Sequence, residues 1–153
     1  MTALPVEDWV AVHDLVHRYA ACVDDRDFTG AAALFGSDGV FVLPEPPRDY
    51  GPVAEHRGPA AIATALSVLE HVLLTAHGVT GAVFDAGDGP DVATGRIRCA
   101  AHHLSGSDDQ LTDAVWHLRY RDRYVRTASG WRIGRREVHL DLVETHRVGA
   151  SRL

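Results

Sequence analysis

Between Pro5 and Asp24 apolar side chains return at Val12, Leu15, Val16, Tyr19 and Val23. That spacing predicts an amphipathic helix with one buried face. Pro5 suits a first helical position, and Glu7 and Asp8 complement the positive end of the helix dipole. A short second helix is predicted over about 27–34, a strand at "GVFVLP", and a third helix over "GPAAIATALSVLEH", opened by Gly58-Pro59. The stretch between strand and helix, "LPEPPRDYGP" (43–52), is rich in turn formers. Its prolines exclude a helix or a central strand, so it is read as a long loop of the kind that often carries function.

From Leu73 onward the period drops to two. "LLTAHGVTGAVFDAG", "VATGRIRCAAHHLSG", "LTDAVWHLRYRDRYVRTASG" and "WRIGRREVHLDLVE" read as four long strands, joined at "GDGP", "SGSDD" and "ASG". Short turns between strands make an antiparallel meander rather than βαβ units. The expected architecture is α+β: a cone-shaped barrel with three N-terminal helices on a strongly curved, mainly antiparallel sheet that encloses a pocket. One domain is expected over 1–153, with its core at about 6–142.

Alternation sorts the strand faces. His77 shares parity with Leu73, Val79 and Val83, and His103 with Ile97, Cys99 and Ala101, leaving His102 outside. Trp116, Leu118, Tyr120, Asp122 and Tyr124 form the inward face of the third long strand, and His117, Arg119, Arg121 and Arg123 the wet one. Arg136 goes with Val138, Leu140 and Leu142, but Trp131 and Ile133 have the other parity. A bulge between them would reconcile the two sets. Two histidines, an aspartate and an arginine thus fall on otherwise apolar faces. Buried charge is costly without a partner, so these groups either pair with one another or line a cavity holding ligand and water.

Composition narrows the function. The chain carries a net charge of -6 with histidines neutral, which argues against nucleic acid as a partner. No apolar run reaches membrane-spanning length, and the start "MTALPVEDW" lacks the features of a secretory signal. Two cysteines, Cys22 and Cys99, fit a reduced chain; the expected location is cytoplasmic. All fifteen basic residues are arginine, which excludes Schiff-base chemistry on a lysine. Ten histidines raise the question of a metal. "HLD" at 139–141 is half of a two-His-one-carboxylate set, but His146 comes too soon and no pair has zinc-finger spacing. No metal or cofactor is expected. "GDGPDVATG" lies between strands and is a turn rather than a phosphate cradle.

The series "RYAACVDDRDFTGAAALFGSDGVF", "RGPAAI", "TAHGVTG", "GRIRCAAHH" and "YRDRYVRTASGWRIGRREV" resembles the SnoaL-like proteins of the nuclear transport factor 2-like superfamily, over about residues 6–140. The resemblance implies a cone-shaped pocket and, by analogy with the dehydratases and the dehydrochlorinase of that superfamily, a His–Asp dyad. The family's aspartate at the end of the first helix falls on Asp24, its tyrosine on Tyr19 and its base histidine on His77. Its arginine after "GW" falls on Arg136, and its second histidine on His103. A serine and an asparagine of the family pattern would fall near Leu118 and Tyr120 and are absent here. Tyr19, Tyr50 and Tyr120 are the candidates for its water-holding tyrosine pair, and Phe41, Leu118, Tyr50 and Tyr120 are expected to contact substrate.

In that arrangement His77 takes an acidic C–H proton and Asp24 fixes its tautomer and stabilises the imidazolium. Arg136 pairs with a substrate oxygen or with Asp24 itself; the bland alternative is a structural bridge to Asp122 or Glu137. Tyr19 bonds an enolate oxygen or protonates a leaving hydroxyl, and His103 is the second acid. The expected function is a cofactor-independent lyase or isomerase acting on a small, mostly apolar, oxygenated metabolite of polyketide, steroid or terpenoid type. A cyclase with the same groups and a non-catalytic ligand-binding or dimerisation module are the alternatives. A homo-oligomer, dimer or trimer, is the expected assembly.

Overall fold

A computed structural model describes residues 2–107 and 109–152; Met1, Leu153 and Asp108, within the predicted "SGSDD" turn, lie outside the described residues. Helix α1 spans Val6–Asp24 and buries Val12, Leu15, Val16, Tyr19, Ala20 and Val23, the stripe its spacing predicts. Asp8 in its first turn is buried as well. It accepts from the Trp131 indole N–H at 2.9 Å and from Arg126 at 2.8 Å. Arg26 adopts a left-handed backbone (φ 65°) that turns the chain out of α1. Helix α2, Phe28–Ala33, follows, capped by the Asp27 carboxylate on the Gly30 amide at 2.8 Å.

Six strands build one sheet: β1 (Phe35–Glu45), β2 (Asp49–Arg57), β3 (Leu74–Ala86), β4 (Val92–Ser107), β5 (Gln110–Thr127) and β6 (Gly130–Val148), in the order β2-β1-β6-β5-β4-β3. All neighbours are antiparallel except β1 and β6, which run parallel. Helix α3 (Pro59–Leu66) and a 3₁₀ turn (Ser67–His71) connect β2 to β3. The α+β architecture agrees with the sequence reading.

The stretch 43–52 does not form a long loop. It is a tight hairpin between β1 and β2, and β2 was not anticipated. Pro52 is tolerated because β2 is an edge strand, and Pro44 because the register between Leu43 and Glu45 is irregular.

Three bulges revise the face assignments. The register of β3 shifts between Val79 and Gly81. Thr75, His77 and Val79 therefore point inward in its first half, but Ala82 and Phe84 do so in its second, and Val83 is exposed. Leu73, just before the strand, is also exposed. Between β5 and β6 the register shifts from Arg123↔Arg135 to Tyr124↔Ile133. The extra residue is Gly134, where a Cβ would lie 3.2 Å from the Val125 side chain. This bulge lets Trp131, Ile133, Arg136, Val138 and Leu140 all face the core. A further shift between His117 and Leu118 turns Leu142 outward, against the simple parity rule.

Candidate active site

Asp24 is the last residue of α1. A carboxylate at a helix C-terminus opposes the dipole, and no basic residue in the last turn compensates it. Compensation comes from β3. The Asp24 carboxylate accepts the His77 ring Nδ1–H at 2.7 Å, the His77 backbone N–H at 2.8 Å and the Thr75 hydroxyl at 3.0 Å. Burial raises its pKa, but the bonds from the His77 ring and amide and from Thr75 prevail and hold it below the ordinary value. Nearby, the Arg26 guanidinium donates to the Val72 carbonyl and ties the end of α1 to the start of β3. An ionised carboxylate can only accept, so the proton of neutral His77 sits on Nδ1 and the lone pair on Nε2. The His77 side chain is 7% exposed.

His103 lies beside it on β4, with ring centroids 6.4 Å apart. Its Nδ1 donates to the Ala114 carbonyl at 3.1 Å, so its neutral ring also carries the lone pair on Nε2. Burial chiefly, with the neighbouring His77, lowers its pKa against the opposing pull of Ala114. Neutral His103 is therefore an acceptor. To serve as the expected second acid it must first take up a proton.

His77 and His103 line a cavity of about 100 Å³ between the sheet and α3. Of the expected contacts, Tyr19, Phe41, Leu118 and Tyr120 line it too. Burial pushes the Tyr19 and Tyr120 hydroxyls up in pKa, so both remain protonated donors. Tyr50 does not reach it: it is 42% exposed on edge strand β2 and is removed from the candidate set. A larger groove of about 440 Å³, lined by Arg96, Arg98, Arg119 and Arg121, opens on the sheet's outer side and borders neither His77 nor His103.

Arg136 stands apart from the cavity. It is fully buried and forms a two-point bridge to Asp122, Nε–Oδ1 2.9 Å and Nη2–Oδ2 2.6 Å. Its guanidinium lies against the rings of both Tyr19 (4.4 Å) and Tyr120 (4.2 Å), which meet edge to face beside it, and Tyr124 donates to Asp122 at 2.6 Å. It pairs with neither Asp24 nor the cavity, and the bland alternative of a bridge to Asp122 is the observed one.

Thr75 was missed, although it stands two residues before His77 and so on the same strand face. Trp116 was placed inward by parity without a role; it lines the cavity and packs against His103 at 5.3 Å. Val68 and Leu69 reach the cavity from the 3₁₀ turn, and no sequence signal marked them.

Three helices against a bent mixed sheet, with a His–Asp pair facing the hollow, define a cone-shaped domain of the nuclear transport factor 2 type. The chain belongs to the SnoaL-like domain family, whose model matches residues 5–137. Among solved structures it is similar to a Novosphingobium aromaticivorans protein provisionally named an aromatic ring hydroxylase. That pair is 23% identical at a TM-score of 0.78, over 94% of this chain and 96% of that one. A protein from the same organism, provisionally named a scytalone dehydratase, has 20% identity and a TM-score of 0.77 over 95% and 92%. A hexachlorocyclohexane dehydrochlorinase of type 2 has 14% identity and a TM-score of 0.78 over 95% and 94%. These likenesses establish the fold. A comparison with curated proteins finds no match. Among the described residues no helix is long and apolar enough to cross a membrane.

Proposed function

We propose that the protein is a cofactor-independent lyase or isomerase in which His77 removes a proton from carbon. The observation that carries this reading is the 2.7 Å bond from His77 Nδ1 to Asp24 at the wall of the cavity. Asp24 fixes the tautomer that leaves Nε2 basic and stabilises the imidazolium once the proton arrives. The protonated Tyr19 and Tyr120 supply donors to an oxygen that gains charge. His103 accepts a second hydrogen bond from substrate, or returns a proton after taking one up. General base catalysis of this kind contributes about 10²–10⁴-fold.

The cavity limits the substrate. About 100 Å³ falls below the ~300 Å³ of ordinary ligand sites. A substrate of polyketide, steroid or terpenoid size enters only if the wall at Val68 and Leu69 yields. A small oxygenated, mostly apolar molecule fits with less rearrangement. The small, largely apolar hollow equally favours a second reading, a ligand-binding module without turnover.

The test uses 5-nitrobenzisoxazole, whose elimination needs only a general base. Wild type is expected to accelerate it, with a loss of about 10²-fold or more in His77→Ala and in Asp24→Asn. Turnover that persists in both variants removes the dyad. Saturable binding with no turnover supports the module reading.

A further inference from the structure

On the outer face of α1, away from the Asp24–His77 pair, two histidines one turn apart converge. His13 Nε2 and His17 Nε2 are 3.3 Å apart. The His13 ring is held from two sides. Trp9 stacks on it with centroids 4.7 Å apart and planes 15° from parallel, and Phe84 meets it edge-on at 6.2 Å. The orientation is thus fixed by packing before any ligand arrives.

We infer that His13 and His17 form a binding site for a divalent transition-metal ion with the geometry of Zn²⁺. Zinc bonds imidazole nitrogen at about 2.05 Å. Two nitrogens 3.3 Å apart, each at that distance, subtend about 107° at the ion, close to the tetrahedral angle. A right-angled site would need them at about 2.9 Å. In the metal-free protein this contact is at best one long N–H···N bond, and a cation converts it into two strong ones. Asp14 is bound to Arg18. Among the described residues no group of three or more His, Cys, Asp or Glu converges on one point, so water completes the shell. This departs from the expectation of no metal, which weighed zinc-finger spacings and the "HLD" stretch and not this helical pair. The inference is independent of the proposed chemistry at His77.

The test is calorimetric titration of the chelator-washed full chain with ZnCl₂. One ion per chain is expected. Affinity should fall about tenfold or more in His13→Gln and His17→Gln and stay unchanged in His71→Gln, an exposed histidine outside the pair. Both substituted side chains lie at the helix surface, and thermal unfolding verifies that the variants fold. In the wild type, Cu²⁺ at one equivalent should broaden the ring NMR signals of His13 and His17 before those of His77 and His103. Equal Zn²⁺ binding by His17→Gln, no binding by the wild type, or broadening centred on other histidines each overturns the site.

Discussion

The carboxylates of Asp24 and Asp122 each hold a nitrogen-bearing side chain of a neighbouring element on the inner side of the sheet, and the two pairs differ in every respect that matters for chemistry. Asp24–His77 links a helix end to a strand and borders the cavity. Asp122–Arg136 links β5 to β6 and is sealed from solvent, roofed by Tyr19 and Tyr120 and bonded to Tyr124. The first has a partner that keeps a free ring nitrogen, Nε2, able to take up a proton. The second has a partner that stays charged at any pH the fold survives. A polar residue on an inward face can be a working group or a fixed strut, and access to space separates the two.

The largest effect that would sharpen this contrast falls on turnover. His77→Ala should cost about 10²–10⁴-fold in rate with a stability change below that of Arg136→Ala. Arg136→Ala should do the reverse. It strands Asp122 without its partner and should destabilise the fold by about 3–5 kcal/mol in urea unfolding. Replacing both partners, as in Arg136→Met with Asp122→Leu, should recover much of that loss. An Arg136→Ala protein that unfolds normally but loses turnover would return Arg136 to the reaction and break the distinction.

A smaller effect is expected at Thr75. Thr75→Val removes one hydroxyl bond to Asp24 and should cost about 0.5–1.5 kcal/mol of stability, with the acid limb of the pH–rate profile moved to higher pH because one of the bonds that hold the Asp24 pKa down is gone. A Thr75→Ser variant should restore the profile.

Acid should act in two steps. His103 is lowered from its ordinary 6.5 and Asp24 from its ordinary 3.8. Both folded-state values lie below the unfolded ones, so the unfolded chain binds protons first and stability falls as pH falls. The upper step runs from 6.5 down to the lowered value of His103, with His13 contributing in the same window. The lower step runs from 3.8 down to the lowered value of Asp24. Unfolding free energy measured against pH should show both, and His103→Gln should shrink the upper step while sparing the lower. The smallest effect belongs to Tyr50. As an exposed side chain on an edge strand, Tyr50→Ala should leave turnover unchanged and stability within about 0.5 kcal/mol.

Local pattern determined much of this protein. The stripe on α1, the period of two after residue 72 and the short turns between strands specify the helices and the meander, because burial of one face imposes its repeat on the chain. They also put Asp24 at a helix end and His77 and His103 on inward faces. What periodicity could not supply was any event that breaks it. The bulges at Thr80, Gly134 and Asp141 each add one residue and reverse every face beyond them, so Val83 and Leu142 turned outward against parity. The edge position of β2 made a strand of a proline-rich stretch, since its outer amides need no partner. Which aspartate received Arg136, and whether that pair opened on space, depended on β5 and β6 meeting in one register and on two tyrosines closing over the guanidinium. Those are contacts between residues distant in sequence, and only the folded chain brings them together.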